Sequence, residues 1–237
     1  MVSSLFNSDM WFAVGLSLLC GLLSAALCVP WGILWGWILA RKNFPGKVVL
    51  QTLLYLPLVL PPVLTGYFLL LMFGRNSPVG GFLFQSLKLS FVLDWKGAVL
   101  ASFVVSSPFM IEAMRQAFHS IDERLEWVAR GLGSDPWKTF TTITMPLARN
   151  GLIAGFFLVF ARSIGEFGAT IILAGNIPGK TQTIPLAIFS QIYSGQANMI
   201  WPLVFFAVVF SYVGLALNNH FLHLRTKKIR SQGEMKS

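Results

Sequence analysis

Charge is what this chain has least of. Asp, Glu, Lys and Arg make up 11% of it and the mean hydropathy is +0.67, whereas soluble globular domains carry roughly a quarter charged residues. That shortage excludes an ordinary soluble domain. Histidine occurs only as His119, His220 and His223, without companions at metal-ligand spacing, so no metal site is expected. The two cysteines, Cys20 and Cys28, share one apolar run. Eight residues apart on a helix they are separated by about 12 Å along the axis, too far for a disulfide. No Gly-x4-Gly-Lys-Ser/Thr loop occurs, so ATP hydrolysis has to come from another chain. Neither a nucleophile–base set nor a cofactor fingerprint is present, and no catalytic or cofactor-binding residue is expected. The first apolar run also lacks a basic leader and exceeds the roughly 7–15 residues of a signal core, so it is expected to be retained.

What is abundant is apolar sequence, 55% of residues, arranged in long runs. Spans are expected at about 11–39, 48–73, 95–118, 146–175 and 200–222, each long enough for a hydrocarbon core of about 30 Å. The stretch from Phe82 to Leu93 is too short to be a sixth. The net charge of +9 does not point to nucleic acid, because the basic residues flank the spans. Arg41, Lys42 and Lys47 follow the first. Arg115, Arg124, Arg130, Lys138 and Arg149 surround the connector after the third, and Arg225, Lys227, Lys228, Arg230 and Lys236 follow the fifth. Intervening loops hold only Arg75 and Lys88, or Lys180. By the rule that basic loops stay cytoplasmic, the N-terminus is expected outside and the C-terminus inside.

Two features interrupt the apolar pattern. Pro57, Pro61 and Pro62 fall inside span two, where each removes a backbone donor. The carbonyls they free are tolerated at membrane depth only against protein or a watery cavity. A packed kink and a pathway lining are both consistent with this. Arg162 and Glu166, four apart in span four, are expected on one helix face, pairing with each other. They are candidates for the pathway or a subunit interface, with a purely structural ion pair as the alternative.

The connector Ser120–Pro146 reads as two short helices. Ser120 and Glu123 have capping-box spacing, and Leu125, Val128, Ala129 and Leu132 form one apolar stripe. Gly131 and Gly133 end that helix, and Asp135–Pro136 is an N-cap followed by proline at the first helical position. This pattern suits a docking knob better than a helix lying on lipid.

The connector resembles the "EAA" loop of ABC importer permeases, E-A-A-x3-G-x9-I-x-L-P. Aligned on Gly133, Ile143 and Pro146 fall in place, and Ala129 occupies the second alanine position. Trp127 and Val128 stand where Glu and the first Ala belong, Glu126 lies one residue early, and Met145 replaces leucine. The resemblance implies that this loop, with Glu126, Trp127, Val128, Ala129, Gly133, Ile143 and Pro146, docks on a cytoplasmic ATPase. The segments "ILARKNFPGK", "LPLVLPPVLTGY" and Phe160–Ile188 look like molybdate permeases, and the likeness runs from about Trp11 to Leu222. It implies an all-α membrane protein with the type I ABC importer permease fold, a single transmembrane domain over 1–237. It further implies a homodimer in the inner membrane, working with an ATPase dimer and an external oxyanion-binding protein, for molybdate or tungstate. Sulfate or thiosulfate is the alternative cargo, and a secondary carrier or channel the alternative class. Carriers usually show internal repeats with paired broken helices; here only span two reads as broken.

Overall fold

The computed structural model describes residues 8–195 and 200–234, with 223–234 described by backbone alone. Every regular element among them is helical. Four helices are long and apolar enough to cross a bilayer: α1 (Ser8–Arg41), α5 (Trp95–His119), α8 (Met145–Ile164, continuing the segment from Pro136) and α11 (Ile200–Glu234). The helix pair α2 (Lys47–Val59) and α3 (Pro62–Phe73), bent by 112° between them, is apolar enough for a fifth when taken as one span.

Small residues set the packing. A Cβ on Gly32 would come within 2.2 Å of Met110 Cγ, and one on Gly36 within 2.6 Å of Met114 Cβ. The backbones of α1 and α5 therefore touch, as lipid-embedded helices do where small residues permit. Gly151 and Gly155 bring α8 against Ala117 and Ala113 of α5, and Gly214 brings α11 against Ala161 of α8. These contacts also fix direction. α1 and α5 run in parallel, Gly32 and Gly36 meeting Met110 and Met114 in turn, whereas α8 runs against α5. α11 runs against α8, with Gly214 near Ala161 and Phe221 stacked on Phe157 at 6.1 Å. One face of the bundle thus carries the starts of α1, α5 and α11, and the other carries the Ser120–Pro146 connector.

α2–α3 returns the chain from the connector face. Tyr55 of α2 meets Glu112 in the second half of α5, whereas Leu69 of α3 packs on Ala101 and Val105 in its first half. The bend is local chemistry. Leu60 and Pro61 are extended (ψ 143° and 131°), and Pro61–Pro62 supply no N–H to continue the α2 ladder.

Three departures from the sequence expectation concern the site. Span four is not one helix: α8 stops at Ile164, residues 165–167 are non-helical, and a short α9 (Gly168–Leu173) follows. The loop before α5 holds α4 (Pro78–Leu87), capped by Ser77 Oγ accepting from Gly80 N at 2.9 Å. An unanticipated α10 (Ile184–Tyr193) packs beside the start of α1, with Ile184 N donating to Ser17 Oγ at 2.7 Å.

Candidate functional site: a double helix break and a connector knob

Near the midpoints of α1 and α5, and at the last turn of α8, three buried hydroxyls converge. Ser24 Oγ donates to Ser163 Oγ at 3.2 Å, and Ser106 Oγ shares a hydrogen bond with the same oxygen at 3.2 Å. This knot marks mid-depth, and the α8–α9 break begins two residues beyond it.

Glu166 lies in that break rather than on a helix face. One carboxylate oxygen pairs with Arg162 Nη2 at 3.0 Å, and the other accepts from Ala169 N at 3.0 Å. The acid thus neutralises the last turn of α8 and satisfies an orphan donor of α9. Glu166 is 2% exposed, while the Arg162 side chain remains partly open. A carboxylate this deep is tolerated only with such partners.

The break in α2–α3 faces the break in α8–α9. A Cβ on Gly168 would stand 2.9 Å from Pro62 Cβ, and one on Gly66 2.8 Å from Ala169 Cα and O. Pro62 opens α3 and Pro61 precedes it as N-cap, so the two prolines and the Arg162–Glu166 pair lie on adjoining breaks. Thr65, one turn into α3, buries its hydroxyl without a hydrogen-bond partner among the described residues. The chain has concentrated unladdered backbone, an ion pair and a lone hydroxyl in one mid-depth region, whereas irregular backbone in a membrane belongs against protein or a cavity.

A second charged set was missed by sequence reasoning, which counted Arg115 only as a topogenic residue. Arg115 Nε and Nη2 grip Glu112 at 2.8 and 2.7 Å, and Tyr55 Oη and Gln116 Nε2 donate to the same carboxylate. It ties α2 to α5. An acid within an apolar span, three residues from an arginine, was the available signal.

The connector forms a knob of α6 (Glu123–Gly131), α7 (Pro136–Thr139) and a π-helical turn Phe140–Thr144 leading into α8. The cap of α6 is Asp122, accepting from Arg124 N at 3.0 Å, not Ser120, whose hydroxyl bonds back to Ala117 O at the end of α5. Asp135 caps α7 as expected, accepting from the N–H groups of Trp137 and Lys138. Gly133, at φ +88°, makes the corner between them, a left-handed conformation in which other residues are strained.

The candidate docking residues divide into two groups. Glu126 points inward: it is buried, accepts from Arg41 Nη2 and from Thr144 Oγ1, each at 3.0 Å, and so braces the knob to α1 and the π-turn. Arg41 adds bonds to Glu123 and to the carbonyl of Ile121, both at 3.1 Å. Ala129 and Ile143 are half-buried and Pro146 is exposed at the start of α8. Trp127 (72% exposed), Val128, Leu132 (84%) and Trp137 (74%) project outward as an apolar ridge.

A bundle broken twice at mid-depth, with a braced knob on its basic face, defines a membrane transport component. Residues 32–226 match the family described as binding-protein-dependent transport system inner membrane component, and the chain belongs to that family. It is 46% identical over 224 residues, 94% of its length and 97% of its relative's, to a molybdenum transport system permease protein of Haemophilus influenzae. A sulfate transport system permease protein of Escherichia coli is 35% identical, over 79% of this chain and 64% of that one. The fold also matches the crystal structure of a bacterial alginate ABC transporter in complex with a pentasaccharide-bound periplasmic protein. That match has a TM-score of 0.68 and 16% identity, covering 96% of this chain and 82% of the other.

Proposed function

We propose that this chain is the permease subunit of an ATP-driven importer that carries molybdate or tungstate inward across the cytoplasmic membrane. The observation that carries the reading is the near full-length similarity to the molybdenum permease, stronger in identity and coverage than that to the sulfate permease. Two copies form the pathway, because five crossings make one wall. The lipid-sized apolar face of α2, which buries no residue within the chain, is available to a second copy or to lipid. The double break at Pro61, Pro62, Arg162 and Glu166 lies on the pathway side of that wall. Each knob seats its ridge of Trp127, Val128 and Leu132 on one subunit of a cytoplasmic ATPase dimer, and an external binding protein delivers the oxyanion.

In this reading the protein need not grip its cargo strongly, since selectivity resides in the binding protein. The test reconstitutes the permease with its ATPase and binding protein in vesicles, then competes labelled molybdate with excess unlabelled oxyanions. Unlabelled molybdate and tungstate are expected to suppress uptake, and sulfate to do so far less. Equal competition by sulfate moves the chain to the sulfate reading, and uptake without ATP moves it to the carriers.

Orientation follows from the same reading. The basic clusters lie with the knob, so the knob faces the cytoplasm and the start of α1 faces outward. Side-specific reporters at Ser8 and Ser134 are expected on opposite sides of the membrane. The same side for both would overturn the five-crossing topology.

A further inference from the structure

On the face opposite the knob, the end of α3, the loop before α5 and the turn after α9 enclose a basin of about 750 Å³. Arg75 and Lys180, 105 positions apart in the chain, both line it, together with Asn76, Ser77, Ser90 and Asp94. Loops on this face hold few cations, so their meeting in one concavity is notable in charge terms. Neither Arg75 nor Lys180 forms an ion pair among the described residues, and Arg75 is held over the ring of Phe84 at 4.6 Å. The acid in the lining is already engaged: Asp94 Oδ1 accepts from Lys96 N at 3.0 Å and pairs with Lys96 Nζ at 3.5 Å.

The rim is built under constraint. Leu93 adopts φ +55°, the left-handed region that a leucine rarely enters, and its N–H donates to Leu173 O at the end of α9 at 3.1 Å. Such backbone persists where surrounding contacts over-determine it, and these positions cluster at functional sites. Gly175, at φ +73°, leaves room for Leu93, whose Cδ2 would be 2.8 Å from a Cβ there.

We propose that this basin is an entry site for a tetrahedral divalent oxyanion, held by the Arg75 guanidinium and the Lys180 ammonium. The planar fork of arginine matches two oxygens of such an anion, and lysine contributes a point charge. Two cations that form no ion pair among the described residues, meeting in one concavity, raise the local concentration of anions. The basin is far larger than one oxyanion, so the site is wet, weak and sensitive to salt. This inference rests on the importer reading and adds a residence for the cargo between its release outside and the double break.

The experiment measures labelled molybdate binding to the assembled permease–ATPase complex in lipid nanodiscs at low ionic strength, without binding protein. Saturable binding is expected, displaced by sulfate but not by chloride at equal ionic strength. Arg75→Ala with Lys180→Ala is expected to weaken it at least tenfold, and Arg75→Lys to retain part of it. Absence of saturable binding, or unchanged binding by the double variant, would overturn the proposal. So would a double variant that binds oxyanion normally but no longer recruits the binding protein, since the cations would then be a protein contact. ATP-driven uptake by the same wild-type preparation, with binding protein added, reports separately on the importer reading.

Discussion

Replacing Trp127 and Leu132 together by aspartate is expected to abolish ATP-driven uptake while leaving the permease inserted and folded. Neither side chain is needed inside the bundle, since both project into open space at 72% and 84% exposure. Large apolar anchors at the centre of an interface typically cost about 2–4 kcal/mol each when removed. Two such losses weaken association with the ATPase by on the order of a thousandfold or more. Co-purification of the two subunits and oxyanion-stimulated ATP hydrolysis should fall together. Trp127→Phe, which keeps the ridge, should retain most activity. Gly133→Pro is expected to act similarly by another route, because proline cannot adopt φ +88° and the corner between α6 and α7 would open. Normal uptake by the double aspartate variant would mean that the ridge does not dock.

The second large effect is expected at Glu166. Replacing it with leucine strands Arg162 at mid-depth and leaves the N–H of Ala169 without its acceptor. Breaking one partner of a buried ion pair costs about 3–5 kcal/mol, while removing both together is often close to neutral. The thermal midpoint of the purified permease should therefore drop in Glu166→Leu and in Arg162→Met, and recover in part in the double variant, which removes the stranded cation but still leaves the Ala169 N–H without its acceptor. Uptake should stay low in all three if the pair belongs to the pathway. A double variant as unstable as either single one would show that the two residues do not act as a pair.

Much of this architecture was legible in the sequence because the bilayer imposes so simple a rule. Four of the apolar runs hold helices long and apolar enough to cross a bilayer, the second run is a bent helix pair that makes a fifth when counted as one span, and Pro61–Pro62 mark its break. The second break was also written in the chain, as an acid between Gly165 and Gly168. Hydropathy alone gives a continuous helix there, because apolar residues run on through Leu173 and periodicity cannot tell one buried helix from two. Hydropathy likewise could not reveal α10, since ten residues fall short of a span and Asn176 and Gly179 precede it. The knob was recognised by Gly133 and Asp135–Pro136, whose backbone demands are local. Which of its residues face outward was not recoverable. Glu126 turned inward because Arg41, 85 positions earlier, and Thr144 were waiting for it. Only long-range packing brings those groups together. The cap of α6 went to Asp122 over Ser120 because the serine hydroxyl was already committed to closing α5.

The glycine contacts divide the molecule mechanically. Where Gly32 and Gly36 seat on Met110 and Met114, there is no slack for α1 and α5 to slide, so they behave as a chassis. Gly66 and Gly168 join α3 to α9 just as closely, yet each of those helices ends at an unladdered hinge. On the importer reading, a push arriving at the knob would pass through the Arg41 bonds to Glu123 and Glu126 into this rigid pair. The backbone is unladdered instead at Pro61 and at residues 165–167, and these breaks are expected to bend before α1 slides past α5.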